Sequence, residues 1–546
     1  MTITSSTRAS KRPLFGALMM VLALFWAAVL KLLTVSSTLS WGTIPMTQRV
    51  LLWLLPIALI GGIAYAGHSL WSRQHTPRSF DPAAVQAAAA HDDAVAAAAA
   101  RDPRFTLEIR RFGVTVDRFR QRALLMRLDE AGVNGKLLLQ DPKEYPWEAM
   151  ARMSAEGQRE NNVFGYTLRN WTDYWPIPVI VAGPPRDENN IDADRMATHI
   201  SSADNGAGIG NTVYIRLDEI HTEHGDEIMS RVFNFFDQHP DLPAVVLLIE
   251  DGLNTRAYLR TPGEVDVEQQ RKNGNFVPKR PDSFVALLVT RKDRVDKLIR
   301  PYTVDAPEAI DNTKTQYDVI KLWNYFWAEQ KAYWAASDAA GESTHKEMPW
   351  DYWQSKLPEF WKTTPLKAPE GFKPNPWVPI PWTTWQLKEY DDWPVLAYLH
   401  RPVRVDLSDG NGESLKKGEK IEKLRAGWQQ ALDTLPTGGQ PGRMFYDTGA
   451  SNSQLALLVQ SLHDNPQHID LDDPKDAFDM QRRIGGDTGT SSTWVQLALA
   501  LMLDYGDGKT SALVNLRDPL HGTIVMLTPP DEASRKANPQ TFSWDF

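Results

Sequence analysis

Two segments near the N-terminus, residues 14–30 and residues 50–71, are apolar and contain no acidic residue, lysine or arginine. Each is close to the ~20 residues that a helix needs to cross a hydrocarbon core roughly 30 Å thick. The pattern predicts two transmembrane helices, so that residues 1–80 form a membrane anchor. Two buried core helices are the alternative interpretation.

The basic residues around these segments indicate their orientation. Arg8, Lys11 and Arg12 precede the first segment, and Arg73 and Arg78 follow the second. Because basic residues concentrate on the cytoplasmic side, both ends of the pair are predicted to lie inside. If the first segment were a cleaved signal peptide, the second would re-enter the membrane with the same result. The expected location is a bacterial inner membrane, with the soluble region in the cytoplasm.

An alternation of strand and helix patterns begins after this anchor. Residues 81–103 are rich in alanine and predict a helical linker, for which a disordered linker is the alternative. Residues 104–312 then predict an N-terminal α/β domain. Its predicted strands cover residues 105–116, 178–182, 244–250 and 283–290, and its predicted helices cover residues 117–131 and 225–238.

A long helix and a stretch rich in tryptophan and proline follow this domain. The helix is predicted from residue 313 to about residue 340, and the stretch covers residues 348–394. Proline disrupts helices and central strands, so the stretch is interpreted as an ordered, extended connector. A partner-binding or sugar-binding surface is the alternative, because exposed tryptophan anchors interfaces well. The tryptophans in question include Trp377, Trp382, Trp385 and Trp393.

Residues 395–546 return to alternating strands and helices and predict a C-terminal α/β domain. Its predicted strands cover residues 395–407, 444–446, 511–516 and 523–528, and its predicted helices cover residues 421–435, 454–462 and 491–505. The predicted fold class is therefore α/β. Two mixed α/β domains are joined by the helix and the Trp/Pro-rich connector of residues 313–394, and an N-terminal transmembrane helical hairpin precedes them.

The composition narrows the chemistry that this chain can perform. The chain has 546 residues, a formal net charge of −9 and no cysteine. An acidic balance without a basic stripe argues against nucleic acid as a partner. The lack of cysteine excludes disulfides, cysteine-ligated zinc, iron–sulfur clusters and cysteine nucleophiles.

Two Asp-Thr-Gly motifs are the sharpest chemical signal, at Asp447-Thr448-Gly449 and at Asp487-Thr488-Gly489. Aspartic proteases hold an aspartate in such a turn so that two carboxylates share one proton and activate water. The two motifs lie too close in sequence to belong to two separate lobes. Aspartate and glycine also occur together simply because they form turns and helix caps. An aspartic-type hydrolase that uses Asp447, with Asp487 as second carboxylate, therefore remains an alternative function.

A compact His/Glu cluster is the second signal. His221, Glu223, His224 and Glu227 lie close together in sequence but do not follow the H-E-x-x-H spacing of a zinc site. The solvated start of the following helix explains these residues without a metal. No metal ligand is therefore predicted.

Glycine-rich segments are the third signal, at residues 205–210 and 485–489. Neither has the spacing of a P-loop or of a dinucleotide-binding fingerprint, and both predict turns. The chain also has no G-x-S-x-G nucleophile elbow. Neither a catalytic residue nor a cofactor-binding residue is therefore predicted.

Several stretches after residue 104 are similar to those of one protein family. They are residues 107–116, 139–142, 145–147, 281–289 and 300–302, and the C-terminal run through residues 482–485, 487–489 and 511–517. In these stretches the chain resembles the type VI secretion lipase adaptor family. The resemblance implies a non-catalytic cytoplasmic adaptor, or chaperone, which binds a phospholipase-type toxin effector and helps to load it onto the secretion spike. The family brings no catalytic motif.

A fainter resemblance concerns the C-terminal half. Thiolase-like condensing enzymes have a glycine-rich turn that leads into a buried helix of small residues, and residues 485–503 are similar. Their usual nucleophile is a cysteine, so the resemblance implies a shared fold at most. The leading hypothesis is thus an adaptor whose partners are a lipase effector, a spike protein and the inner membrane. A membrane-anchored aspartic-type hydrolase and a structural inner-membrane component are the alternatives.

Overall fold

The computed structural model describes residues 77–78, 104–132, 134–168, 173–187, 213–263, 272–306, 317–339, 348–463 and 469–539. The two predicted membrane helices, the alanine-rich linker and the glycine-rich segment 205–210 lie outside these residues. Within the described ranges, no helix is both long enough and apolar enough to cross a membrane. The described residues from Arg78 onward belong to one compact unit.

The first part of this unit alternates strands and helices. Its elements are β1 (Thr106–Val116), β2 (Phe119–Arg120), α1 (Arg122–Ala131), α2 (Ala149–Leu168), β3 (Pro176–Gly183), β4 (Val213–His221), α3 (Gly225–Gln238), β5 (Ala244–Asp251), α4 (Leu253–Leu259), β6 (Ser283–Thr290) and α5 (Lys292–Leu298). Strands β3, β5 and β6 consist entirely of buried residues, as is typical of strands covered on both faces. Helix α2 has no counterpart among the predicted helices.

The middle part of the chain is more helical than its sequence predicts. It contains α6 (Asp318–Ala339), α7 (Trp350–Thr363), the two-residue strand Leu366–Lys367 and α8 (Thr384–Asp392).

The prediction of an extended connector is therefore wrong for α7 and α8. Trp350, Trp353, Leu357 and Trp361 are buried along one face of α7 at helical spacing. Burial of this apolar face stabilises the helix by more than the one hydrogen bond that Pro358 removes from it.

The last part of the unit carries the elements β7 (Ala397–His400), β8 (Val403–Asp406), α9 (Lys417–Asp433), β9 (Arg443–Asp447), α10 (Asn452–Leu462), β10 (Ala477–Asp479), α11 (Met480–Ile484), α12 (Ser492–Asp507), β11 (Ser511–Asn515), β12 (His521–Thr528) and α13 (Glu532–Ala537). The single strand predicted over residues 395–407 is divided into β7 and β8. Pro402 lies between them, where it lacks the N–H group that a continuous strand would need.

Within the described residues, twelve strands form one mixed sheet that includes both parts of the unit. The strand order is β10-β9-β11-β12-β7-β1-β6-β5-β3-β4, with β8 paired to β12 and β2 paired to β1. Strand β7 makes the junction, because Leu399 lies opposite both Leu107 of β1 and Leu527 of β12. The predicted mixed α/β class is confirmed. The division into separate domains stays a prediction.

Helix α12 lies at the centre of the core and is buried along almost its whole length. It packs against β1 and β6 from the first part and against β9, β11 and β12 from the last part. It also contacts α3, where the indole Nε1 of Trp494 donates a hydrogen bond to the carbonyl oxygen of Gly225 at 2.9 Å. The start of α3 is therefore fixed against the start of α12.

This contact requires glycine at position 225. A Cβ atom there would lie 1.7 Å from the carbonyl oxygen of Thr490. Gly225→Ala is therefore expected to lower the free energy of unfolding by about 1–3 kcal/mol, as measured by urea unfolding of the purified protein. Gly506→Ala is the matched control, because its Cβ meets open space in a helix and alanine favours helices. Equal stability of the two variants would contradict the close approach of the two segments.

Candidate functional site

A single arginine joins the two Asp-Thr-Gly motifs. Asp447 is the last residue of β9, and Asp487 lies in the turn between α11 and α12. Arg517 follows β11, which is the parallel neighbour of β9. Its Nη1 atom lies 3.0 Å from Oδ2 of Asp447 and 2.9 Å from Oδ1 of Asp487. The turns that follow the two motifs are thereby held together through opposite charge.

Further donors satisfy both carboxylates. The backbone N–H groups of Gly449 and Gly489 donate to Oδ1 of Asp447 and of Asp487, each at 2.8 Å. Arg280 Nη1 lies 3.0 Å from Oδ2 of Asp487. Burial alone would raise the pKa of Asp487, but the positive charges of Arg517 and Arg280 outweigh it and hold this pKa well below its ordinary value.

This arrangement does not suit an aspartic protease. A catalytic pair of aspartates shares one proton, which requires that one carboxyl group has a raised pKa and that both reach water. Here the charge of Arg517 stands between the carboxylates, the Asp447 side chain is fully buried, and the hydroxyl of Ser492 donates to it. The two motifs are therefore connected by ion pairs that stabilise the fold. The two carboxylates are not placed to share a proton, as the hydrolase hypothesis requires.

A second ion-pair group lies beside the first, with Arg256 and Asp251 buried and Glu223 exposed. Arg256 of α4 contacts Asp251 through Nε at 2.7 Å and Glu223 through Nη1 at 2.7 Å. The N–H group of Thr490 donates to Oδ2 of Asp251 at 2.8 Å. Burial would raise the pKa of Glu223, but its hydrogen bonds and charge interaction with Arg256 lower it. This group attaches the start of α12 to the end of β5.

The His/Glu cluster of the sequence does not converge on one point. His221 Nε2 lies 2.9 Å from Oε1 of Glu219, and Glu223 pairs with Arg256. His224 and Glu227 instead face the last part of the chain. Glu223 is exposed, as the prediction of a solvated helix start requires, although Arg256 also binds its carboxylate with two hydrogen bonds.

Three side chains from distant parts of the sequence meet beside this helix start. Among the residues that the structure describes, one group could hold a metal ion, and it consists of His224, Asp518 and His521. One ligand atom from each lies within 4.8 Å of the others. The sequence gives no signal for Asp518 and His521, because they are almost three hundred residues from His224 and form no local motif.

A strip of exposed apolar side chains lies at the start of α2. Trp147, Met150 and Met153 are 55%, 69% and 54% exposed, and we refer to them as the methionine strip. Arg152 holds the backbone around the strip in place. Its Nη1 atom donates to the carbonyl oxygens of Trp147 and Gly274 at 3.2 and 3.0 Å. The strip is thus an apolar surface on an anchored helix.

Models of one protein family match both parts of the unit. The N-terminal model of the type VI lipase adapter protein Tla3 matches residues 105–271, and the C-terminal model matches residues 396–529. Together they cover more than half of the chain. The chain belongs to the Tla3 type VI lipase adapter family. The resemblance inferred from the sequence is thereby confirmed.

The adapter also shows a low similarity to solved structures of OleA from Xanthomonas campestris. The acetamide-bound form is 11% identical, with a TM-score of 0.36, and the match covers 78% of this chain and 99% of that chain. A cerulenin-bound form is 10% identical, with a TM-score of 0.35, and the match covers 78% and 99%. TM-scores below 0.5 do not establish a shared fold. The thiolase-like fold therefore stays a prediction.

The region between the two family models packs into the core of the adapter. Trp377 and Trp382 are only 6% and 1% exposed, and Trp385 and Trp393 are partly buried. Trp377 stacks on Trp350 with ring centroids 4.4 Å apart. These tryptophans therefore do not form the exposed partner-binding or sugar-binding surface that was the alternative interpretation. The methionine strip, in contrast, lies within the residues matched by the N-terminal family model.

Proposed function

We propose that this adapter binds a type VI lipase effector through the methionine strip and helps to load it onto the secretion spike without catalysing a reaction itself. The family supplies the class of partner. The observation that carries the proposal is the exposure of Trp147, just before an anchored helix, and of Met150 and Met153 in its first turns.

The chemistry of the strip suits a protein partner. Contiguous exposed apolar side chains are costly in water unless a partner covers them. Methionine adapts its shape to a partner surface, and tryptophan is among the residues that contribute most to binding. In the described part of the chain, five of the seven large exposed apolar side chains fall within the residues of the N-terminal family model: Met126, Trp147, Met150, Met153 and Tyr258.

The buried charges support a role without catalysis. The carboxylates of both Asp-Thr-Gly motifs are occupied by Arg517 and by backbone N–H groups. They stabilise the centre of the fold and are not arranged to activate water.

The strip can be tested by binding. Co-purification and calorimetric titration of the adapter with lipases encoded by neighbouring genes should yield a stable complex. The variant Trp147→Ala with Met150→Ser is expected to weaken this binding at least about tenfold, since truncated anchor residues typically cost more than 1 kcal/mol each.

Val459→Ser is the matched control, because Val459 is 46% exposed on α10, outside the strip. It should bind as the wild type does, and both variants should keep the wild-type unfolding midpoint. Undiminished binding by the strip variant would contradict this surface. Failure of the wild type to bind any lipase or spike protein would contradict the adapter function itself.

We also propose that residues 1–80 hold the adapter at the cytoplasmic face of the inner membrane. The two long apolar segments and their basic flanks support this location. Recovery of the chain in the soluble fraction after cell lysis would argue against it.

A further inference from the structure

His224 and the pair Asp518 and His521 come from distant parts of the sequence. His224 immediately precedes α3, Asp518 lies in the turn between β11 and β12, and His521 is the first residue of β12. The turn has a defined shape, because Oδ1 of Asp518 accepts the N–H group of Leu520 at 2.6 Å. The side chain of Gln454 also donates to the Asp518 carbonyl oxygen at 3.0 Å. Oδ2 of Asp518 is thereby directed toward the two imidazoles.

Two of the three distances within the group match those between ligands of one ion, and the third is at most 4.8 Å. Oδ2 of Asp518 lies 3.4 Å from Nε2 of His224 and 3.4 Å from Nδ1 of His521. These separations are longer than ordinary N–H···O hydrogen bonds of roughly 2.7–3.2 Å. Two ligands at about 2.0–2.1 Å from a tetrahedral zinc ion are separated by roughly 3.3–3.4 Å. The spacing therefore suits a shared ion better than direct hydrogen bonds.

The environment of His521 also suits a metal ligand. Its side chain is 8% exposed, its Nε2 atom makes no hydrogen bond, and Oε1 of Glu227 lies 3.6 Å from that atom. Arg404 Nη1 fixes the same Glu227 oxygen at 2.8 Å. A histidine that binds a metal through one nitrogen usually directs the other toward a carboxylate, which orients the ring. Glu227 is a carboxylate on that side of the ring, at a distance longer than a hydrogen bond.

We propose that His224 Nε2, His521 Nδ1 and Asp518 Oδ2 bind a divalent transition-metal ion, preferentially zinc. Two imidazoles and one carboxylate are ligands of zinc, nickel and copper, whereas calcium and magnesium prefer oxygen ligands alone. The His224 side chain is 38% exposed, so the ion can enter from solvent and a water molecule can complete its coordination.

The site links the residues matched by the two family models. His224 belongs to the N-terminal match, and Asp518 and His521 belong to the C-terminal match. A bound ion would attach the β11–β12 turn to the start of α3, next to the contact between Gly225 and Thr490. Lys420, whose Nζ donates to the carbonyl oxygen of Pro519 at 2.7 Å, is a cation close to the site.

Zinc binding is measured on the full chain, purified through a tag that contains no histidine and stripped with a chelator. After dialysis against low micromolar zinc, elemental analysis should find one zinc ion per chain. Saturating zinc should raise the unfolding temperature by about 2–4 °C. Cobalt should replace zinc and give the visible absorption of a site with nitrogen and oxygen ligands.

His224→Ala and Asp518→Asn are each expected to weaken zinc binding at least about tenfold. Asparagine keeps the Oδ1 atom that accepts the N–H group of Leu520, so the turn is preserved. His463→Ala removes an exposed histidine elsewhere and should bind zinc as the wild type does. The proposal is overturned if the wild type retains no stoichiometric zinc, or if both site variants bind zinc with wild-type affinity.

Discussion

Arg517→Met is expected to lower the free energy of unfolding by about 3–5 kcal/mol at pH 7. The Arg517 guanidinium lies within 3.0 Å of carboxylate oxygens of both Asp447 and Asp487. Because Asp447 is fully buried, removal of the arginine leaves its negative charge without compensation in the core. Urea unfolding, followed by the fluorescence of the buried tryptophans, measures the loss.

Arg425→Met is the matched control for this prediction. Arg425 forms an exposed ion pair with Glu422 at 3.2 Å, and the loss of such a pair costs at most about 1 kcal/mol. Adding Asp447→Asn to Arg517→Met should recover part of the stability, because one uncompensated charge is then removed. A loss in Arg517→Met no larger than that in Arg425→Met would show that the two motifs do not depend on the arginine.

The pH dependence of the same variant has a definite sign. In the wild type, Arg517 helps to hold the pKa of Asp487 below its ordinary value, so this carboxylate contributes stability above about pH 4 that is lost on acidification. Without the arginine that contribution is absent at neutral pH. The stability difference between wild type and variant should therefore stay nearly constant from pH 7 to about pH 5 and shrink as the pH falls below about 4.

The second large effect is expected at His400, the last residue of β7. Burial lowers the pKa of His400 to about 4, although a hydrogen bond to the Thr434 carbonyl oxygen acts in the opposite direction. The folded protein keeps this imidazole neutral, whereas the unfolded chain binds a proton below about pH 6.5. Stability should therefore fall as the pH drops from about 6.5 to about 4, by up to roughly 3 kcal/mol from this residue alone.

His400→Gln tests this assignment. The amide can replace the hydrogen bonds of the ring to Thr434 and Thr528 but does not titrate, so the variant should lose less stability between pH 7 and pH 4.5. The free energy of unfolding, measured across this range for both proteins, gives the difference directly. His463→Gln controls for the removal of a surface imidazole. Parallel pH profiles for wild type and His400→Gln would show that His400 is not kept neutral by the fold.

The sequence pattern predicted the elements whose burial follows a simple period. The strand Ser283–Thr290 and the helix Gly225–Gln238 are found with the bounds predicted for them, because a continuous apolar run and a regular apolar face leave little ambiguity. Helix α2 was missed for the opposite reason. Arg152, Glu156 and Glu160 lie on its buried face, and charged residues at core positions conceal the helical period.

The candidate sites were less predictable because their residues are joined only by the tertiary fold. The sequence singled out Asp447 and Asp487 but gave no indication that Arg517 would lie between them. The sequence likewise singled out His224 but gave no indication that it would lie beside Asp518. Spacing rules detect ligands on one helix or turn, whereas these contacts depend on which strands become neighbours in the sheet.

Strand β7 also constrains when the protein can fold during its synthesis. Until residues 397–400 leave the ribosome, residues 106–109 of β1 lack their partner strand on the edge opposite β6, and β2 covers only Thr115 and Val116 on that edge. A nascent or truncated chain that ends before β7 therefore presents this edge to other chains, and open edges of this kind favour aggregation. The pairing of the four residues of β7 is thus a late step in folding. It joins the two family-matched parts into one sheet.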